Sequence, residues 1–215
     1  MQSHSNKEVI IKTPRHSLNA DLISGFCDAS DIVTDHDTFF AMCRDGCPNF
    51  SKKFSCPPCS PDFRKIQGNL GRLLVVMLRL DLRQLDGAGY PDHHRLRLGN
   101  AVIKPRLERL MRSLESEFGG KYMATGACRL CKPCQKKLAK PCKHPDKMRF
   151  SLEATGVDCD ALSKKVFGIP LEWYKDKRCP DHTAVICALP LDPGVSEDRV
   201  LDAIESYGGS HQLSD

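Results

Sequence analysis

Cys128, Cys131 and Cys134 stand three residues apart, with Cys142 following in Pro-Cys-Lys-His-Pro, and together they form the densest chemistry in this chain. Thiolates at i, i+3 and i+6 let one short loop wrap a cuboidal cluster, three sulfurs meeting three irons while nearby backbone N–H groups point at the sulfides. A tetrahedral zinc ion rarely needs a third thiolate so close, although a structural zinc site remains the competing assignment. The bacterial ferredoxin run reaches its fourth cysteine after three intervening residues. Here seven residues separate Cys134 from Cys142, so the fourth ligand is less firmly set than the first three.

Cys43, Cys47, Cys56 and Cys59 make a second group, in which a CxxxC pair and a CxxC pair are joined by eight residues. Pro48, Pro57 and Pro58 stiffen this segment and lower the entropy lost when a metal fixes it. Its spacing suits zinc or a second 4Fe-4S cluster equally, and the companion run tips the balance toward iron-sulfur. Cys56-Pro-Pro-Cys59 also has the form of a redox pair, a weaker reading because two further cysteines lie close enough to compete. Cys27, Cys159, Cys179 and Cys187 lack paired spacing and are expected in the core as small hydrophobes, Cys179 being the best substitute ligand among them. His93 and His94 read as surface-loop residues. His144 is either solvated in a lysine-rich loop or placed to hydrogen-bond a cluster sulfur or bind iron. Glu153 reads as an ordinary carboxylate at a helix start, with general acid or base work as the lesser alternative.

The elements that must position these groups follow from composition and pattern. With 215 residues, 40% of them hydrophobic, the chain can bury a real core, and a single cysteine-rich domain over 1–215 is expected, with cysteine loops at about 43–61 and 126–150. The chain start lacks a basic-then-apolar leader, and the longest apolar run, Leu73 to Leu78, is too short to cross a bilayer, which predicts a cytoplasmic protein with no membrane association. In that compartment twelve cysteines point to metal rather than disulfides. The net charge of +5 is uneven: between Arg129 and Arg149 eight Lys or Arg residues face one acid, Asp146. Such a surround would stabilise a negatively charged cluster, serve as a solvated loop, or dock an acidic partner. Nucleic acid ranks last, since no aromatic interleaving or recognition motif accompanies the charge.

Glu8 to Lys12 suits a strand, Ser17 is placed to cap a helix running to about Cys27, and Asp31 to Met42 has a strand-turn-strand pattern. Residues 49–61 form an irregular ligand loop. Leu73 to Leu80 reads as a buried central strand, residues 83–99 as a polar excursion, and Ile103 onward as an amphipathic helix stopped by Gly119-Gly120. Lys121 to Thr125 is a candidate strand. A helical turn from Ser151, a helix over Asp160 to Phe167, a buried strand over His182 to Leu189 and a terminal helix within 193–207 capped by Ser196 complete the reading. Strands and helices interleave without a strict βαβ period, so the expected fold is α+β, a mixed sheet with flanking helices and two cysteine-rich metal-binding loops.

Taken together, Cys43 and Cys47, Cys56-Pro57-Pro58, Cys128, Cys131 and Cys134, Cys142-Lys-His144-Pro145, and the run Ser151, Glu153, Ala154, Gly156 and Asp158 resemble a family of small bacterial and archaeal predicted metal-binding proteins, a domain of unknown function. The resemblance spans about residues 40–190 and implies seven main cysteine ligands, three early and four late, with Cys59 outside the usual set. Three thiolates alone would leave one iron open to water, sulfide or substrate, whereas a fully ligated cluster suits electron transfer. The functional expectation is therefore an oxidoreductase-type iron-sulfur protein with one or two 4Fe-4S clusters, passing electrons to or from a redox partner. The first alternative is an enzyme using an open iron on a small anionic substrate for lyase or sulfur-transfer chemistry. The second is a zinc-stabilised interaction module. No nucleotide loop, flavin fingerprint or radical-initiating CxxxCxxC triad accompanies the cysteines.

Overall fold

In the computed structural model, which describes residues 4–207, four strands form one sheet in the order β1 (His4–Lys12), β2 (Ser17–Asp28), β3 (Arg72–Asp81) and β4 (His182–Pro190). The α+β class holds. Every ladder is antiparallel where a mixed sheet was expected: His4 faces Gly25, Leu22 faces Leu78, and Val76 faces Cys187. The helices are α1 (His36–Gly46), α2 (Phe63–Ile66), α3 (Asp92–Phe118), α4 (Cys159–Phe167) and α5 (Glu197–Ser206).

Strand β3 is apolar along its length because both of its faces are covered. Leu74, Val76, Leu78 and Leu80 turn to a core shared with Ile103, Leu107, Leu110 and Met111 of α3 and Val200 and Ile204 of α5. Leu73, Val75 and Met77 turn the other way, onto Leu162 and Val166 of α4 and the buried Phe63 of α2. Each such side chain contributes about 1.5–3 kcal/mol through removal from water, so the two cores frame everything the loops carry. Among the described residues no helix is long and apolar enough to cross a membrane.

Several local expectations are also corrected. Residues 17–27 form β2, not a helix. Thr13 accepts from the His16 N–H through its hydroxyl, making a tight hairpin turn, and Leu18, Ala20 and Leu22 then alternate with Asn19 and Asp21 so that the odd and even residues part to opposite faces. The strand-turn-strand pattern at 31–42 is instead the entry to α1, because the Asp35 carboxylate accepts the Thr38 N–H at 3.0 Å and caps a helix that the β-prone Thr-Phe-Phe then joins. The excursion at 83–99 ends early: after a 3₁₀ segment Leu82–Ala88, α3 begins at Asp92 and runs 27 residues through Pro105. His93 and His94 accordingly lie exposed in its first turn. Gly99 sits inside this helix where a Cβ would lie 2.7 Å from Leu82 and 2.9 Å from Thr183.

Residues 121–125 contribute two isolated bridges, Met123 with Ala188 and Ala124 with Ser151, rather than a strand of the sheet. The first ties them to β4, so the chain enters the late cysteine loop from a fixed point. Ser196 occupies the N-cap position of α5, although its side chain makes no capping hydrogen bond.

Candidate metal centre

Cys43 lies in the last turn of α1 and Cys47 caps that helix, its N–H donating to the Cys43 carbonyl at 3.1 Å. The four-residue spacing places both on one side of the helix end. The chain then folds through tight turns, with the Ser51 N–H donating to the Pro57 carbonyl at 2.9 Å, and buries Cys56 at 5% exposure. Burial pushes the Cys43 thiol up, and Cys47, Cys56 and the Glu153 carboxylate push it the same way. Cys56 is also raised, first by burial, against a lowering contact from the Ser55 hydroxyl, with Cys47 and Cys128 close enough to add to the rise. Cys43, Cys47 and Cys56 thus share one neighbourhood. Cys59 does not join them in the interior: it is exposed, and Lys136 Nζ donates to its Sγ at 2.6 Å.

Glu153 reaches this neighbourhood from the 3₁₀ turn Glu153–Thr155. That turn is locked to the start of α1 by the Asp35 N–H donating to the Gly156 carbonyl at 2.8 Å, and the Asp158 N–H donates to Val33 at 3.0 Å. Gly156 has φ +88°, and a Cβ would stand 2.7 Å from the His36 Cα, so only glycine permits this approach.

The late cysteines behave differently. Cys128, Cys131, Cys134 and Cys142 all line one cavity, with His144, Met148 and Phe54 completing its wall. His144 thus faces the cavity rather than open water. The Cys128 thiol is raised, first by burial, against a lowering backbone hydrogen bond from Leu130 and the Lys53 cation, with Cys134 and Cys142 adding to the rise. A bound metal cation reverses this preference, since it favours the thiolates that burial disfavours.

The two groups touch. Ser55 Oγ lies 3.8 Å from Cys56 Sγ and accepts the Cys128 N–H at 2.9 Å, while Lys53 Nζ donates to the Cys128 carbonyl at 2.7 Å. Ser55 and Lys53 carried no motif, and only their place beside Cys56 could have marked them. Behind the late loop, Arg149 is buried at 8% exposure and donates through Nε to Glu115 at 2.8 Å, through Nη2 to the same carboxylate, and through Nη1 to the Asp146 carbonyl at 2.6 Å. This pair fastens the end of the basic segment to α3.

Of the other cysteines, Cys27, Cys159 and Cys187 are buried in the cores as expected. Cys179 is only half-buried, and its charged neighbours are Arg95 and Asp92 in the first turn of α3 and Asp181 just before β4.

The donor set fits a metal: soft thiols, three sharing one neighbourhood and four around one cavity. Among the described residues, no three His, Cys, Asp or Glu side chains stand close enough to hold a single ion. Fold and site define a cysteine-rich α+β protein whose gathered thiols are suited to metal. More particularly, the chain belongs to the family described as Predicted metal-binding protein (DUF2284), whose model matches residues 26–189 and so spans both cysteine groups. No curated protein and no solved structure matches the chain.

Proposed function

We propose that this is an iron-sulfur protein of the reducing cytoplasm that passes electrons to or from a partner enzyme. Its late 4Fe-4S centre would be held by Cys128, Cys131, Cys134 and Cys142, and a second centre by Cys43, Cys47, Cys56 and, once metal is bound, Cys59. The observation that carries the reading is the single cavity lined by all four late cysteines. Four thiols around one space could give each iron of a polynuclear centre its own sulfur, and the CxxCxxC run supplies three of them from one short loop, where a tetrahedral zinc rarely needs a third thiolate so close. The Ser55 bridge supports the two-centre form, because it keeps the early and late groups adjacent. The basic residues of the 129–149 segment other than the buried Arg149 would steer an acidic redox partner to that end of the molecule.

A second reading is favoured by the outward turn of Cys59 and the inward reach of Glu153. A centre with three thiolates would leave one iron open for lyase or sulfur-transfer chemistry on a small substrate. Anaerobic purification with iron, zinc and acid-labile sulfide analysis tests both. Iron with matching sulfide is expected in the native protein, about half of it lost in Cys131→Ser and in Cys56→Ser. A Cys59→Ala variant that retains its full iron favours the open-iron enzyme, and one that loses half favours full ligation and electron transfer. Zinc without sulfide would sink both readings in favour of an interaction module.

A further inference from the structure

A cavity of about 360 Å³ lies outside the two cysteine groups. Its volume equals about twelve waters at roughly 30 Å³ each, room for about a dozen heavy atoms, and falls within the range of small-molecule sites. One wall is the stretch Thr183–Ile186 of β4, the outer strand of the sheet, whose free side offers backbone donors and acceptors. A second wall is a single stripe of α3, Asn100 and Lys104 at a four-residue spacing. Glu153 closes the inner end and the exposed Trp173 stands at the rim.

Two polar atoms in this cavity are buried with no hydrogen-bond partner: Thr125 Oγ1, on a residue 5% exposed, and Glu153 Oε2. Leaving such a group unsatisfied costs about 1–3 kcal/mol, and more for a charge. Lys104 enters no ion pair among the described residues, so a cation and a carboxylate face one enclosed space without neutralising each other. The remaining lining, Val185, Ile186 and Leu171 among it, is apolar.

We propose that this cavity binds a free α-amino acid, its carboxylate on Lys104, its ammonium on Glu153 with the Thr125 hydroxyl beside it, and its side chain on the apolar wall. A purely anionic ligand would leave Glu153 facing like charge, and a purely cationic one would do the same to Lys104. The zwitterion answers both, and its size matches the space. Because Glu153 also influences Cys43, the bound molecule would lie next to the early cysteine group. The site holds whichever metal those cysteines carry.

The test is titration of the purified full-length protein with individual L-amino acids, read by calorimetry and by the emission of Trp173, the one tryptophan in the sequence. At least one amino acid is expected to saturate both signals, with Lys104→Met and Glu153→Gln each weakening it tenfold or more and Thr125→Val about threefold. Metal and sulfide content, measured on the same samples, is expected to stay at the native level in Lys104→Met, so failure of this site and failure of the iron-sulfur reading give separate results. The native protein alone gives a second arm: acetate and methylamine are expected to bind at least tenfold more weakly than the amino acid. The proposal is overturned if no amino acid saturates either signal, if acetate or methylamine binds as well, or if the folded Lys104→Met and Glu153→Gln variants bind unchanged.

Discussion

The early and late cysteine groups solve the same problem by different routes. In the late group all four thiols come from fifteen consecutive residues, broken only by the 3₁₀ segment Gln135–Leu138, and line one cavity. The early group is assembled from a helix end, a tight turn and a carboxylate contributed from more than a hundred residues away, and it turns its fourth cysteine out to solvent. One is a local loop, and the other depends on the tertiary fold. The late group should therefore respond to changes in its own segment, and the early group to changes in the packing that brings Glu153 to α1.

The largest effect that would sharpen this contrast is expected from Gly156→Ala. It forces a side chain into a backbone with φ +88° and against the His36 Cα, which should cost about 3 kcal/mol in chemical denaturation. Metal should be lost from the early group first. Equal loss from both groups would show that the late loop is not autonomous.

A smaller effect is expected from Glu115→Gln, which leaves the buried Arg149 guanidinium short of its charged partner at a cost of about 2 kcal/mol, felt mainly by the late loop. Burial pushes the Glu115 carboxyl up, but hydrogen bonds from Arg149 and the Tyr122 N–H, with the charges of Arg149 and Arg112, hold it below 4.5. Because the folded value is depressed, the stabilisation is complete above about pH 4.5 and is lost as the pH falls through the folded value. Unfolding measured from pH 6 to pH 3 should show a steeper loss in the native protein than in Glu115→Gln. Parallel curves would remove this pair from the account of the late loop.

The smallest effect is expected from Lys136→Met. Its contact with Cys59 is at the surface, so stability should change by less than about 0.5 kcal/mol. Any loss of metal from this variant would mean that Lys136 orders the metal-binding loop, and the two groups would then be less separate than their sequences suggest.

The difference between local and assembled sites also explains what could be read from the sequence. Strands β3 and β4 are continuous apolar runs, the C-terminal half of α3 has an unbroken helical period, and the late cysteines announce themselves by spacing. Strand β2 was hidden because its short alternation could pass for a capped helix, and only pairing with strands on both sides decides it. The start of α3 was hidden by the turn-forming Gly87, Gly89 and Pro91 and the charged residues after them, and its first turns make sense as helix only once Leu82 and Thr183 are seen against Gly99. Glu153 was read as a helix-start carboxylate because its partners, Cys43 and the cavity beside β4, are distant in sequence. Ser55 was passed over for the same reason.

Cys27, Cys159 and Cys187 give the cores a further consequence. Burial pushes the Cys27 thiol up to about 11 and raises Cys159 and Cys187 well above the ordinary range. These sulfurs stay neutral packing atoms at physiological pH, slow to react with oxidants and poor competitors for an incoming metal. The fold in this way sorts its own sulfur, keeping one set as packing while the other is gathered at two addresses suited to metal.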